Sequence, residues 1–126
     1  MNGIDYLIDT NILLYILRGN PKLRYLAQAE LLAVSCVTEM EILGKFQIEE
    51  TEKNIIAELL QQSAVIDITH TIKQITIQLK QKYRLKLPDA IIAATAIQQN
   101  LALITADKGF AKIEELDLIL INIENP

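Results

Sequence analysis

A layered α/β fold built on a parallel sheet is expected from three features of this sequence. Short apolar runs rich in Val, Ile and Leu recur along the chain, segments with helical spacing separate them, and carboxylates stand just beyond several of the runs. Nearly continuous apolar runs belong to strands covered on both faces, and strands alternating with helices are joined by crossovers that make the sheet parallel. The predicted architecture is a three-layer α/β/α sandwich with a central, mostly parallel five-stranded sheet, in one domain spanning residues 1–126.

The elements follow in order. The first run, Ile4 to Ile8, ends on Asp9 and passes through Thr10 and Asn11 into the apolar stretch "ILLYIL", which Gly19, Asn20 and Pro21 break. The second, Ala33 to Val37, enters a helix within "SCVTEMEILG". Two helices fit before the third run, Val65 to Ile68, as a small helical arm, and Asn54 to Gln62 has helical spacing there. Helical spacing returns over His70 to Tyr83 and Asp89 to Gln99, the latter opened by Leu87 and Pro88, because Pro suits the first helical position. The runs Leu101 to Ile104 and Leu118 to Ile123 supply the last strands, and the terminal "NIENP" reads as a short frayed end.

Composition narrows the function. With 51% hydrophobic and 22% charged residues the chain has material for a continuous core. Aromatics are only 5% and Trp is absent, which argues against the base-stacking platforms of single-strand binding modules. The single cysteine, Cys36, expected to be buried, has no internal disulfide partner, and no Cys or His pair has zinc spacing. No apolar stretch reaches the roughly 18 residues of a membrane span, and no leader pattern is visible, so a cytoplasmic protein without a membrane segment is expected. A net charge of −4 disfavours an all-over grip on nucleic acid and leaves room for a local basic surface.

Parallel sheets bind ligands beyond the carboxyl ends of their strands. Asp9 closes the first strand and Asp107 follows the fourth in "ALITADKGF"; Asp89 sits in the first turn of the helix "PDAIIAATAI", and Glu41 lies on the helix after the second strand. Each also fits a structural role: Asp9 as a helix cap, Thr38 with Glu41 as a capping box, Asp89 as a dipole partner, Asp107 in a turn before Gly109. Those separate roles do not explain why four acids from four segments share one edge. Asp5 lies about 13 Å back along the first strand and is expected to be structural. Glu39 is expected to face solvent. Asp67 fits either the same edge or the cap of the helix near Thr69. A cluster of carboxylates is costly without a cation, and hard oxygen ligands suit Mg²⁺ or Mn²⁺, which orient a phosphate and activate water for phosphodiester hydrolysis.

The pieces "LIDTNILLY", "SCVTEMEILG", "LPDAIIAATA" and "LITADKGF", in this order over nearly the whole chain, resemble the PIN domain family, most closely the VapC-type toxin ribonucleases of toxin–antitoxin pairs. The resemblance implies a metal-dependent endoribonuclease with Asp9, Glu41, Asp89 and Asp107 around Mg²⁺ or Mn²⁺. Thr10, Asn11, Ser35, Thr38 and Thr105 would give polar support, Asn11 bracing the Asp9 carboxylate. It also implies an RNA substrate, a homodimer, and a cognate antitoxin whose tail enters the active-site groove. Ile12, Leu13, Tyr15, Ile16 and Leu17 read either as core or as contacts to a second copy.

Two alternatives stand beside this reading. One is a catalytically silent PIN scaffold. The other is a receiver-like Mg²⁺-binding regulatory module, which the sequence resembles less because its first strand lacks paired acids and no Lys follows the last strand. The run "KQKYRLKLPD" places Lys80, Lys82, Arg84 and Lys86 before Asp89. These cations read as a solvated helix end or, for Lys82, Arg84 and Lys86, as a grip on RNA phosphates, with Lys45 and Lys108 marking other paths. His70, the only histidine, reads as the start of a helix.

Overall fold

The computed structural model describes residue 4, residues 6–27 and residues 32–123. Strands form at Tyr6–Ile8 (β1), Leu32–Ser35 (β2), Ala64–Ile66 (β3), Ala102–Thr105 (β4) and Leu118–Leu120 (β5). They make one sheet in the order β3-β2-β1-β4-β5, and all four pairings are parallel. The central register sets Leu7 beside Leu103 and Ile8 beside Ile104.

Side-chain parity along these strands builds the layers. Leu7, Ala33 and Leu103 enter one apolar cluster with Ile72 and Leu79 of α5 (His70–Lys82) and Ile92, Ala93 and Ala96 of α6 (Leu87–Gln99). Their neighbours Ile8, Val34 and Ile104 turn to the other face. There they meet Ile12 and Leu13 of α1 (Thr10–Leu17), Leu26 of α2 (Arg24–Ala27), Ile42 of α3 (Cys36–Leu43), and Ile56 and Leu60 of α4 (Glu50–Gln61). Leu7 and Ile8 are both fully buried, each contributing about 1.5–3 kcal/mol by leaving water. Two covered faces give the predicted three-layer sandwich.

The element boundaries differ from the sequence reading in ways that matter. Cys36 and Val37 begin α3 rather than ending β2, because the Ser35 hydroxyl accepts from Val37 N at 3.1 Å and caps the helix. The segment after Gly19 is not merely a break: a 3₁₀ turn at Pro21–Leu23 leads into α2. The arm helix α4 starts before Asn54, where Glu50 and Glu52 favour the first turn. Ile12 and Leu13 are core residues and so cannot face a second copy. Asp5 and residues 124–126 of the terminal segment lie outside the described residues. Among the described residues no helix is long and apolar enough to cross a membrane.

Strand order creates the place for a site. The chain runs outward from β1 to β2 and β3, then returns to the far side of β1 for β4 and runs outward again to β5. The segments leaving β1 and β4 therefore head in opposite directions, opening a crevice at the carboxyl end of the sheet.

Candidate active site

Asp9 leaves β1 at that crevice and is only 5% exposed. It caps α1 in an extended conformation, its Oδ1 accepting from Ile12 N at 2.9 Å. Its Oδ2 accepts from the hydroxyl of Thr105, the last residue of β4. Thr105 is fully buried and accepts in turn from Asp107 N at 3.0 Å. Asp107 Oδ1 takes Gly109 N at 2.8 Å, in the turn that starts a 3₁₀ helix at Lys108–Lys112. The cap and turn roles are thus real, and they fix the carboxylates at the crevice. Carboxylate oxygens carry more lone pairs than these bonds use, so ligand capacity remains.

Glu41 reaches the same edge from the exposed side of α3, where its Oε1 lies 2.6 Å from Thr10 Oγ1. Thr10 Oγ1 is also 3.1 Å from Thr38 Oγ1. A carboxylate can only accept, so the Thr10 proton serves Glu41 and the buried Thr38 supplies the proton between the two hydroxyls. Thr38 is therefore not an N-cap, a role that Ser35 fills; the capping-box reading fails. Asp89 is half-buried in the first turn of α6. Asn11 is exposed and makes no side-chain hydrogen bond among the described residues, so the brace expected from it falls to Thr105, because Asp9 itself takes the cap position.

The four acids form one electrostatic set. Burial is the main cause that lifts the Asp9 carboxyl above its ordinary range; the bonds from Thr105 and Ile12 oppose the rise, and the charges of Asp107 and Asp89 add to it. Asp89 is raised by burial first, then by Asp107 and Glu41, with Lys86 opposing. Asp67 is exposed past the end of β3, and Thr69 rather than Asp67 caps α5, whose first residue is His70. Glu39 is half-buried rather than solvent-facing.

The donor set at the edge is all oxygen, which fits Mg²⁺ or Mn²⁺ rather than a softer metal. Among the described residues no three acidic, histidine or cysteine side chains close into a ready-made cage. That geometry suits an ion held by one or two carboxylates at a time with water filling its shell. Buried polar groups elsewhere behave differently: Thr76 and Thr95 bond the carbonyls of Ile72 and Ile91 one turn back in their own helices.

Two hollows flank the acids. A cleft of about 220 Å³ is lined by Arg84, Leu85, Lys86, Asp89, Asp107, Gly109, Phe110 and Lys112. Lys82 is not part of it: its ammonium is 3.2 Å from Glu115 and 5.4 Å from the centre of the Tyr83 ring. Lys112 was missed by sequence reading, although its position five residues after Asp107 was a usable signal. On the other side a groove of about 650 Å³ has an apolar floor of Leu14, Leu17, Ile42, Ile55 and Ile56 and meets the site at Thr10 and Glu41. Lys45 lines this groove and pairs with Glu52 at 3.0 Å.

The observed strand order differs from the 2-1-3-4-5 order of receiver domains, which removes the receiver-like alternative. The PIN domain family matches residues 6–116. A toxin–antitoxin complex from Klebsiella pneumoniae contains a chain 32% identical to this one, with 91% of this chain and 96% of that chain covered and a TM-score of 0.79. VapBC-1 from nontypeable Haemophilus influenzae is 26% identical over 93% and 97% of the two chains, with a TM-score of 0.76. VapBC2 from Rickettsia felis, bound to a DNA fragment from its promoter, shares the fold at 23% identity and a TM-score of 0.80, over 94% and 99% of the chains. Comparison with curated protein sequences gives no significant match.

Proposed function

This chain belongs to the PIN domain family, in its VapC-type branch, and from that premise we propose that it is a metal-dependent endoribonuclease, the toxin of a toxin–antitoxin pair. The observation that carries the reading is the convergence of Asp9, Asp89, Asp107 and Glu41 from four segments on one partly buried edge, where Asp89 feels Asp107 and Glu41 and Asp9 feels Asp107 and Asp89. Such an arrangement is costly unless a cation joins it or some of the acids take up protons, and a bound cation lets all four stay ionised.

One or two of these carboxylates at a time, with water completing the shell, would hold Mg²⁺ or Mn²⁺, which when bound neutralises phosphate charge and acidifies water. The chain's own residues do the rest. Thr105 and Ile12 N fix Asp9 before substrate arrives, so the carboxylate has little to reorganise. Asp107 and Asp89 approach from separate segments and line the same cleft. Glu41, exposed and held among the described residues by Thr10, keeps lone pairs with which to take a proton from the attacking water.

A cognate antitoxin segment is the proposed occupant of the apolar groove, whose inner end meets Glu41; the pairing of similar chains with antitoxins supports this. A homodimer and a cytoplasmic location complete the proposal.

Purified protein incubated with single-stranded RNA should cleave it in Mg²⁺ or Mn²⁺ and stop when the metal is chelated. Asp9→Asn, which keeps the shape and removes the charge, should abolish cleavage, while Asp67→Asn retains it. Wild-type turnover in Asp9→Asn would overturn the assignment. Metal binding by the wild-type chain without any cleavage would leave the silent scaffold as the reading.

A further inference from the structure

The cleft beside Asp89 and Asp107 holds charges of both signs, and its cations are not used alike. Lys112 donates to the Arg84 carbonyl at 2.7 Å, and Lys80, outside the cleft, donates to the Leu85 carbonyl at 2.8 Å. These two lysines tie down the backbone that leads into α6. By contrast, the Arg84 guanidinium and the Lys86 ammonium make no hydrogen bond or ion pair among the described residues, although both line the cleft. Lys86 acts on Asp89 through its charge without forming an ion pair, so both head groups remain open to a ligand in the cleft.

A second observation points the same way. Helix α6 spans 13 residues and has Lys86 at its N-cap, with no side chain accepting from its first amides. Pro88 at its second position has no N–H to donate, so the dipole of the helix start, more than its amides, favours an anion beside the two cations. The acid of this first turn, Asp89, is one of the proposed metal-site carboxylates and lines the cleft with Arg84 and Lys86, so the two cations share a hollow that adjoins the acidic edge.

We infer that this cleft is the subsite for the RNA phosphate next to the scissile one, held by Arg84 and Lys86. The inference rests on the ribonuclease reading above and adds to it which cations carry substrate. Lys82 is left out, since it lies outside the cleft and faces Glu115. The tether from Lys112 holds the Arg84 backbone in place whatever side chain stands there.

Steady-state cleavage of a single-stranded RNA oligonucleotide in Mn²⁺, over a range of salt concentrations, tests this for the wild-type chain, for R84Q/K86Q and for K82Q. Without two charge-assisted bonds to phosphate, KM should rise by about tenfold or more, with a much smaller change in kcat. The dependence of log KM on log salt should flatten by about 0.7 for each phosphate no longer neutralised. K82Q should match the wild type in both respects. Wild-type KM and salt slope in R84Q/K86Q, with normal turnover, would overturn the subsite while leaving the ribonuclease intact. Absence of turnover in the wild-type chain would overturn the ribonuclease reading and the subsite with it.

Discussion

Replacing Thr105 by Val breaks the link that ties the end of β1 to the end of β4. Valine keeps the shape of threonine and lacks the hydroxyl that donates to Asp9 Oδ2 and accepts from Asp107 N. Thr105 is fully buried and Asp9 nearly so, so the lost bond is poorly replaced by bulk water. A hydrogen bond to an ionised group is worth about 1.5–3 kcal/mol, and the amide of Asp107 adds up to about 1 kcal/mol. The metal-free variant should therefore be less stable by about 2–4 kcal/mol at neutral pH, or roughly 8–15 °C in Tm for a chain of this length.

The pH dependence gives the sharper check. Burial raises the Asp9 carboxyl in the folded state, and the Thr105 bond is the largest influence opposing that rise. A carboxyl raised by folding binds its proton more tightly in the native state than in the unfolded one. Its contribution to stability is full below the ordinary carboxylate value and is lost as pH rises through the folded value. Removing the hydroxyl raises the folded value further, so the deficit of Thr105→Val should be small near about pH 4 and largest near about pH 8. Urea unfolding of both proteins in chelator measures it. A deficit below about 0.5 kcal/mol, or one equal at both ends of the range, would refute the role assigned to the link.

Two further outcomes are expected. A β-carbon at Gly109 would lie 3.0 Å from Asp107 Oδ1, so Gly109→Ala should displace that carboxylate and cut metal-dependent cleavage by about tenfold or more, while stability changes by about 1 kcal/mol or less. Undiminished cleavage would mean that the position of Asp107 is not critical. Light scattering of the wild-type chain should show a dimer at high concentration; a monomer throughout would reject the homodimer.

The sheet was legible because its strands are covered on both faces, so each appears as an apolar run with little dilution by polar residues. The cap at Ser35 was not, since the run "AVSCV" stays small and apolar across the point where strand becomes helix. Three of the acids stand beside strand ends or a helix start and could be placed at one edge from spacing alone. What spacing could not reveal was how neighbouring polar groups divide the work. Asn11 does not take its expected part because Asp9 serves as its own helix cap. Lys82 differs from Arg84 and Lys86 only through Glu115, which is 33 residues away in sequence. Such pairings depend on how packed helices bring remote segments together, and no local pattern announces them.

The bond between Thr105 and Asp9 joins residues 96 positions apart, and the strand carrying Thr105 is one of the two neighbours of β1. Closing so long a loop is slow, and it is rewarded only after the intervening chain has been ordered or made. During synthesis, the first strand, the arm and most of the helical layers can therefore exist before the acidic edge does. An emerging chain that has not yet reached β4 lacks both the hydroxyl that steadies Asp9 and the carboxylate of Asp107. For the ribonuclease proposed above, a chain cut short before β4 would lack two members of its acidic edge.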